Sequence, residues 1–384
     1  MIAISESGIR NQAREGNLKM AQDTSYIGQS IHDMDTPALW VDLEVLESNI
    51  SKMVALCEEH QVFWRPHVKA CKSPDLAHRL LRSGACGVTC AKVSEAEVML
   101  AGGINDILIA NEVVGVQKIS KLVEVARGAR LGVACDDESN IREISQVASK
   151  AGVTIDVLVD IDVGVHRSGV APSQAVPLAQ LVSDLPGISL RGLMGYEGHV
   201  MRMGAVDKEM ASAKAAEVLA EACGRFREAG YQPKIISGGG SGNYWHAVSL
   251  GIINELQAGG GSLMDITYRD KMHLPGHQFA LFVNAQVISI AIAGRATLDS
   301  GWKTTGCQNG LPRIVSHEDI QVLELHAEHG VVVLGNGVKL RPAERVTMVP
   351  DYSDSTVLLH RKMYAVRGGT IEDCWPITAA GALQ

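Results

Sequence analysis

The chain has 384 residues, a length that suits one large barrel-type domain together with a smaller one. Its formal net charge of −8 argues against a nucleic-acid-binding protein, which normally carries a basic excess. Apolar residues make up 46% of the chain and charged residues 20%, which is typical of a globular protein with a substantial core.

Composition also bears on location. No apolar run approaches the roughly 20 residues of a membrane span, and the N-terminal residues lack the apolar segment of a secretory signal. The eight cysteines form no CxxC pair and no zinc-finger spacing. We therefore expect reduced thiols in a cytoplasmic protein that has no membrane or nucleic-acid partner.

The N-terminal part divides into three segments. Residues 1–35 are polar and patternless and are interpreted as an extension that a partner subunit would order. Residues 38–43 (ALWVDL) predict a short apolar strand. Residues 43–61 carry apolar side chains at helical spacing, and Asp42 is the expected N-cap of that helix.

Eight strand-like apolar runs then alternate with amphipathic helical segments. The runs are FWRPHVK (63–69), GVTCA (87–91), DILIAN (106–111), LGVACD (131–136), IDVLVDID (155–162), LRGLMGYEG (190–198), KIISGGGS (234–241) and INELQAGG (253–260). Eight successive β-then-α units predict an α/β fold, a TIM-type (β/α)8 barrel over residues 44–274. A doubly wound open sheet is the alternative.

After residue 275 the pattern changes to alternating strands separated by Gly, Asn and Pro turns. The predicted strands lie in QFALFVNAQVISI, RATLDSG, IQVLELHAEHGVVVLG, ERVTMVP and TVLLHRKMYAVRGGTIEDCWPI. We expect an all-β C-terminal domain over residues 275–384, to which residues 36–43 also belong.

The candidate chemical groups follow the predicted barrel strands, because TIM-barrel sites lie at the carboxyl ends of strands. Lys69 ends the first strand, where desolvation would lower the pKa of its amine and favour a Schiff base. An ordinary surface lysine is the alternative. Arg167 follows the fifth strand and could hold an anionic oxygen or pair with Asp162. Tyr196 and His199 follow the sixth strand, where a histidine is more often structural than catalytic.

Two glycine-rich segments, SGGGSG (237–242) and AGGGS (258–262), follow the seventh and eighth strands. Their free backbone amides could bind phosphate, although turns require glycine in any case. A nucleophilic lysine beside a phosphate site suggests pyridoxal phosphate. A class I aldolase that acts on a sugar phosphate would use the same groups.

The ordered series of motifs resembles the fold-type III pyridoxal-phosphate enzymes of the D-threonine aldolase and D-serine dehydratase branch. The matching segments are DTPALWVDLEVLESNI, RPHVKACKS, KVSEAEVMLAGGINDILIANEV, VDIDVGVHRSGV, YEGH, SGGGSG and NELQAG. The branch includes 3-hydroxy-D-aspartate aldolases and dehydratases. The resemblance implies an alanine-racemase-like barrel with a C-terminal β domain, in a homodimer whose active site lies at the subunit interface.

The resemblance also implies roles for individual residues. Lys69 would form the Schiff base, with His67 beside it, Arg167 at the phenolic oxygen of the cofactor, Tyr196 along the ring and Gln257 at the pyridine nitrogen. The phosphate would be held by Gly240, Ser241, Gly242 and Asn243, closed by Gly259 and Gly260.

The chain departs from the family pattern where relatives carry a divalent metal (Mn, Mg or Zn) in a PxHxC or PxHxD segment. Tyr352 stands where the histidine should be, and Asp354 keeps the carboxylate position. Tyrosine is a poor ligand for these ions near neutral pH, so a metal at Asp354 is doubtful. His360 lies nearby in sequence but need not converge with Asp354.

Three reactions are compatible with this set of residues and this cofactor. We favour retro-aldol cleavage of a D-3-hydroxy amino acid to glycine and an aldehyde, with Lys69, Tyr352 and His199 as candidate catalytic residues, because the retained Asp354 matches the aldolase pattern. A dehydratase, which would yield a 2-oxo acid and ammonia, and a racemase are the alternatives. A cofactor-carrying binding protein is disfavoured, because such proteins resemble the barrel alone.

Overall fold

The computed structural model of the chain describes residues 24–384, and eight parallel strands form its first sheet. They are β2 (Phe63–Trp64), β3 (Val88–Cys90), β4 (Asp106–Glu112), β5 (Arg130–Cys135), β6 (Ile155–Asp160), β7 (Ile188–Gly195), β8 (Ile235–Gly238) and β9 (Glu255–Leu256). Their order is β2-β9-β8-β7-β6-β5-β4-β3, and a bridge between His67 and Thr89 joins its two ends. The predicted barrel is confirmed, and the open-sheet alternative is wrong, because the sheet has no free edge.

The helices alternate with these strands as predicted, beginning with one that precedes β2, except that short 3-10 and π turns (Gly260–Ser262 and Thr267–Lys271) follow β9 in place of an α-helix. They are α1 (Leu43–Glu59), α2 (Pro74–Arg82), α3 (Val93–Ala101), α4 (Val116–Ala126), α5 (Glu138–Ala151), α6 (Pro172–Asp184), α7 (Ala205–Glu228) and α8 (Tyr244–Ser249). Asp42 caps α1, since its Oδ1 accepts hydrogen bonds from the backbone amides of Glu44 and Val45. Among the described residues, none of the helices has the length and apolar character needed to cross a bilayer.

The barrel interior is filled by side chains that alternate along the strands. Leu108, Ala134, Leu158, Met194 and Ile235 form one buried cluster, separate from the larger core between strands and helices. Deeper toward the amino ends of the strands lies Arg65, which is 3% exposed. Its guanidinium is 2.8 Å from Glu255 and 2.7 Å from Asp106, so this cation links three strand segments.

In the part of the chain that the structure describes, the second sheet contains nine strands. They are β1 (Ala38–Asp42), β10 (Leu281–Ser289), β11 (Arg295–Leu298), β12 (Arg313–Ile314), β13 (Ile320–Leu325), β14 (Gly330–Leu334), β15 (Arg345–Val349), β16 (Lys362–Arg367) and β17 (Thr370–Pro376). The strand β1 lies inside this sheet, antiparallel to β10 and parallel to β16. Two short helices, α9 (Trp302–Thr305) and α10 (Ser353–Val357), complete this part of the chain.

Two expectations for these regions need correction. The predicted strand segment 356–377 begins with the end of a helix, Ser353–Val357, and becomes strand only at Lys362. Tertiary hydrogen bonds hold that helical turn: the amide of Ser353 donates to buried Asp265, and the hydroxyl of Thr356 donates to the carbonyl of Thr305. Residues 24–34 are ordered by their own chain, since Tyr26, Ile31 and Met34 pack on the β16–β17 hairpin. Residues 1–23 of the proposed extension lie outside the described residues.

We predict that Arg65→Met destabilises the fold by about 3 kcal/mol, because it leaves the Glu255 and Asp106 carboxylates without their buried cation. The matched control is Arg127→Met, which removes an exposed ion pair with Glu124 and should cost less than about 0.5 kcal/mol. Urea denaturation measures both changes. Equal midpoints for the two variants would contradict a structural role for Arg65.

Candidate active site

A cavity of about 260 Å³ opens at the carboxyl ends of the barrel strands. Because parallel strands in a ring end at one mouth, residues far apart in sequence meet there. The carboxyl end of β4 and the segments that follow β2, β3, β6, β7, β8 and β9 all contribute to its wall, and Tyr352 closes one side from the part of the chain that forms the second sheet. The predicted residues that line it are His67, Lys69, Arg167, Tyr196, Gly240, Ser241, Gly242, Gln257, Gly259, Gly260 and Tyr352.

Lys69 lies in this cavity, in a single 3-10 turn (Val68–Ala70) just beyond β2. Its Nζ is 3.8 Å from Oδ2 of Asp354. Burial has the largest single effect and lowers the pKa of Lys69, but Asp354, Tyr196 and Glu95 together outweigh it, so the net pKa is raised. For the carboxyl group the signs are reversed: burial raises the pKa of Asp354, and the positive charge of Lys69 opposes this increase. The pair therefore provides an amine and a carboxyl group that can exchange a proton in a partly desolvated setting.

His67 supports the turn that carries the lysine. Its Nδ1 accepts a hydrogen bond from the backbone amide of Lys69 at 3.4 Å, and its own amide donates to the carbonyl of Gln257. Burial and the positive charge of Lys69 hold the pKa of His67 well below its usual range. The imidazole is therefore neutral at physiological pH and presents a flat, uncharged ring at the cavity floor.

Arg167 reaches the cavity from the loop after β6. Its guanidinium stacks over the ring of Tyr196, with Cζ 5.5 Å from the ring centroid. Carboxylates hold the loop in place: the hydroxyl of Ser168 donates to Asp160 at 3.1 Å, and the amide of Gly169 donates to Asp136 at 2.9 Å. The cation is thus presented from a fixed loop. Asp162, its alternative partner from the sequence, instead pairs with His166 at 2.7 Å.

The two glycine-rich loops lie side by side and are joined by a hydrogen bond. The amide of Gly261 donates to Oγ of Ser241 at 2.9 Å. Within residues 24–384 the amides of Ser241 and Gly242 meet no acceptor, so both remain available to a ligand. Side chains would obstruct this wall, since a Cβ on Gly259 would overlap the carbonyl of His67 and one on Gly260 would overlap the hydroxyl of Tyr268.

Asn243 and His199 lie outside the cavity lining. Asn243 is fully buried behind the first glycine loop: its Oδ1 accepts from the amide of Gly240 at 3.2 Å, and its Nδ2 donates to Glu197 at 2.8 Å. It shapes the loop from behind. His199 packs against the backbone of Gly164, where the Cβ of any other residue would lie 3.2 Å from its ring. The structure therefore does not bring His199 to Lys69.

Gln257 lines the cavity between the two loops. Its Nε2 donates to Oγ of Ser237 at 3.0 Å, and that hydroxyl donates to Glu255 at 2.9 Å. The chain of hydrogen bonds ends at Arg65 in the barrel interior. Because the Nε2 group is already engaged, the amide of Gln257 is held in one orientation and presents an uncharged polar group to a ligand.

The segment in which a metal was judged doubtful, around Tyr352 and Asp354, does not form a ligand set. Nε2 of His360 is 2.8 Å from the carbonyl of Thr304, and this histidine does not approach Asp354. Burial raises the pKa of Tyr352 far above its usual value, so its phenol stays protonated. Over residues 24–384, no three His, Cys, Asp or Glu side chains converge as metal ligands. The side chains at this position therefore do not fit a divalent ion.

Several cavity residues were not identified from the sequence. Tyr268 lies 5.9 Å from the Tyr352 ring, centroid to centroid, and Met194, Met201 and Met272 form apolar parts of the wall. Asp265, fully buried, accepts hydrogen bonds from the amides of Tyr268 and Ser353 and so fixes both tyrosine-bearing segments. With the exception of Met194, which lies in a predicted strand, these residues belong to no sequence motif. They were identified only because the fold brings their chain segments close to the cavity.

Comparisons with known proteins agree with this geometry. Residues 41–264 match the alanine racemase N-terminal domain family, and residues 280–366 match a serine dehydratase domain family. The chain is 38% identical to a D-threonine aldolase of Arthrobacter over 92% of its length and 95% of the relative. It is 35% identical to a 3-hydroxy-D-aspartate aldolase of Paracoccus denitrificans, covering 92% and 94% of the two chains.

A solved structure shows the same fold. The crystal structure of D-threonine aldolase from Filomicrobium marinum superposes with a TM-score of 0.90 at 35% identity, over 93% of this chain and 99% of that one. The resemblance expected from the motifs is confirmed by both the sequence and the structural matches. The chain belongs to the alanine-racemase-like, fold-type III family of pyridoxal-phosphate enzymes, in the branch of D-threonine aldolase and 3-hydroxy-D-aspartate aldolase.

Proposed function

We propose that this protein is a pyridoxal-phosphate-dependent lyase that cleaves the Cα–Cβ bond of a D-3-hydroxy amino acid and yields glycine and an aldehyde. The observation that carries the proposal is the position of Lys69, whose amine lies in one cavity with two glycine-rich loops and a carboxylate 3.8 Å away. Relatives at 35% and 38% identity over nearly the whole chain are named for aldolase reactions on such substrates.

The residues present fit pyridoxal phosphate. The unpaired amides of Ser241 and Gly242, beside side-chain-free positions at Gly259 and Gly260, suit a phosphate group. Other residues that line the cavity suit the cofactor ring. Lys69 would bind its aldehyde carbon, and Arg167 would contact its phenolic oxygen. His67 and Tyr196 would flank the ring. Asn243 would act from behind the loop and not as a direct contact.

When bound, the cofactor supplies an electron-withdrawing ring that stabilises negative charge developing at Cα of the substrate. Gln257 would lie at the ring nitrogen, where a neutral amide leaves that nitrogen unprotonated and moderates the withdrawal of electrons. A moderate electron sink suits bond cleavage at a carbon that already bears an activating hydroxyl group.

Retro-aldol cleavage also needs a base for the substrate 3-hydroxyl group. We propose that Asp354 takes this proton, because it is the carboxylate beside Lys69 and burial brings its pKa upward from its usual value. Tyr352 would donate a hydrogen bond to the substrate, since burial keeps its phenol protonated. We do not assign this role to His199, because it does not line the cavity.

We also propose that the barrel comprises residues 44–274 and the β domain residues 36–43 and 275–384, in a cytoplasmic homodimer with the active site near the subunit interface. The two family matches, which end at residue 264 and begin at residue 280, support this division. A chain with eight cysteines but no CxxC pair suits a reducing compartment.

The function is tested by incubating the purified protein with D-threonine and D-3-hydroxyaspartate and identifying the products. We predict glycine and the corresponding aldehyde. We also predict that Lys69→Ala loses both this activity and the visible absorbance of a lysine-bound cofactor, because the covalent link is absent. Lys118→Ala, an exposed control on α4, should retain both.

Two results would overturn the assignment. Release of a 2-oxo acid and ammonia from the same substrates would identify a dehydratase instead. Persistence of the visible band in Lys69→Ala would show that another amine holds the cofactor.

We predict that Gly260→Ala weakens pyridoxal phosphate binding about tenfold, because the new methyl group overlaps the Tyr268 hydroxyl and forces it to move. Gly224→Ala is the matched control, since a Cβ there meets open space. Adding Tyr268→Phe to the Gly260→Ala variant removes the closest overlap, at the hydroxyl, but leaves Cζ of the ring 2.5 Å from the new methyl group, so it should recover only part of the affinity. Equilibrium titration of the cofactor measures all three, and equal affinity of Gly260→Ala and the control would contradict the proposed wall.

We predict that the activity does not require an added metal and that Tyr352→His makes it respond to Mn²⁺, because imidazole supplies the ligand that the phenol cannot. Activity is measured with EDTA and with added Mn²⁺. Tyr352→Phe, which adds no ligand, should show no metal response. A Tyr352→His enzyme that is indifferent to both additions would count against this account of the segment.

A further inference from the structure

Lys208 is a buried lysine whose ammonium group has no carboxylate partner. It lies on α7 and is 1% exposed, and no Asp or Glu of residues 24–384 lies within ion-pair distance of its Nζ. Instead Nζ donates to three backbone carbonyls, those of Met201 at 2.9 Å, Gly242 at 2.6 Å and Met272. All three donor sites of the ammonium are therefore occupied by main-chain oxygens.

These three carbonyls belong to three separate segments of the cavity wall. Met201 follows β7, Gly242 lies in the first glycine loop, and Met272 follows the turn that carries Tyr268. The glycine at 242 lies between the two methionines, because a Cβ there would be 2.9 Å from Sδ of Met201 and 3.1 Å from Sδ of Met272. The Lys208 side chain thus links the glycine loop to the segments that carry Met201 and Met272.

Within residues 24–384 no carboxylate neutralises the charge of this lysine; besides the three carbonyls, its Nζ faces the Trp245 ring, 5.3 Å from the ring centroid. Burial lowers the pKa of Lys208 to about 8, so it is still mainly protonated at neutral pH. On the other side of the loop, burial raises the pKa of Glu197, which accepts hydrogen bonds from Asn243 and from the amide of Gly239. An unpaired buried cation is costly, and an anion bound at the loop would offset that cost.

We propose that Lys208 is a positioning residue for the phosphate group of the cofactor: it holds the glycine loop at residues 240–242 in shape and supplies, from behind the loop, the positive charge that a phosphate monoester dianion requires. The inference rests on the proposed function, since it places the phosphate at this loop. It adds a cation to a phosphate site that is otherwise built from uncharged backbone amides and a serine.

Free pyridoxal separates the two roles, because it shares the aldehyde and the ring but lacks the phosphate. A charge that acts on the phosphate affects the affinity for pyridoxal phosphate alone, whereas general damage to the cavity weakens both ligands. The full-length chain is freed of cofactor and titrated with each ligand, and binding is followed by the visible absorbance that both develop at Lys69.

For Lys208→Met and Lys208→Gln, we expect the affinity for pyridoxal phosphate to fall by about tenfold or more, with less than about a twofold change for pyridoxal. Lys214→Met, an exposed position on the same helix, should leave both affinities unchanged. Glutamine retains a hydrogen-bond donor without the charge, so equal losses in both neutral variants assign the effect to charge. If the neutral variants do not fold, Lys208→Arg decides by whether the preference for pyridoxal phosphate is kept.

Parallel losses for the two ligands in the neutral variants would overturn the proposal, and so would loss of the preference in a folded Lys208→Arg variant or a wild-type chain that binds both ligands equally. Failure of the proposed function has a different signature. In that case the wild-type chain would develop no visible band with either ligand, whatever residue stands at position 208.

Discussion

The backbone pairing of one short segment organises the site. Residues 63–67 run beside β9, where the amides of Arg65 and His67 donate to the carbonyls of Leu256 and Gln257, and the same segment meets β3 at Thr89. This pairing closes the barrel and directs the chain into the mouth, so the next turn places Lys69 in the cavity. The position of the reactive amine is therefore a consequence of barrel closure.

The part of the chain that forms the second sheet supplies residues to the active site at the barrel mouth. Its strand β1 holds residues 38–42 between β10 and β16. Tyr352 at the N-cap of α10 lines the cavity that holds Lys69, and Asp354 in the first turn of α10 lies 3.8 Å from Lys69. Asp265 fixes that turn through the amide of Ser353. The carboxylate that faces the lysine thus comes from nearly 300 residues away in sequence, and burial in the folded chain raises its pKa.

Two buried cations each hold separate chain segments together. Arg65 ties strand segments in the barrel interior through two carboxylates, whereas Lys208 ties three cavity segments through carbonyls. The difference has a physical consequence. The charge of Arg65 is neutralised inside the protein and serves stability, while that of Lys208 remains available to an anionic ligand.

Local pattern was enough to predict the eight barrel strands and the helices that alternate with them, the N-cap at Asp42 and the residues that follow strand ends, Lys69, Arg167 and the glycine loops among them. This succeeds because chain order decides which residues reach the mouth of a parallel barrel. The helix at 353–357, the position of His199 away from the lysine, and the participation of Tyr268 and Lys208 were decided by tertiary structure. They depend on hydrogen bonds and packing between distant segments, such as Ser353 with Asp265 and His199 with Gly164, which leave no periodic signal in the sequence.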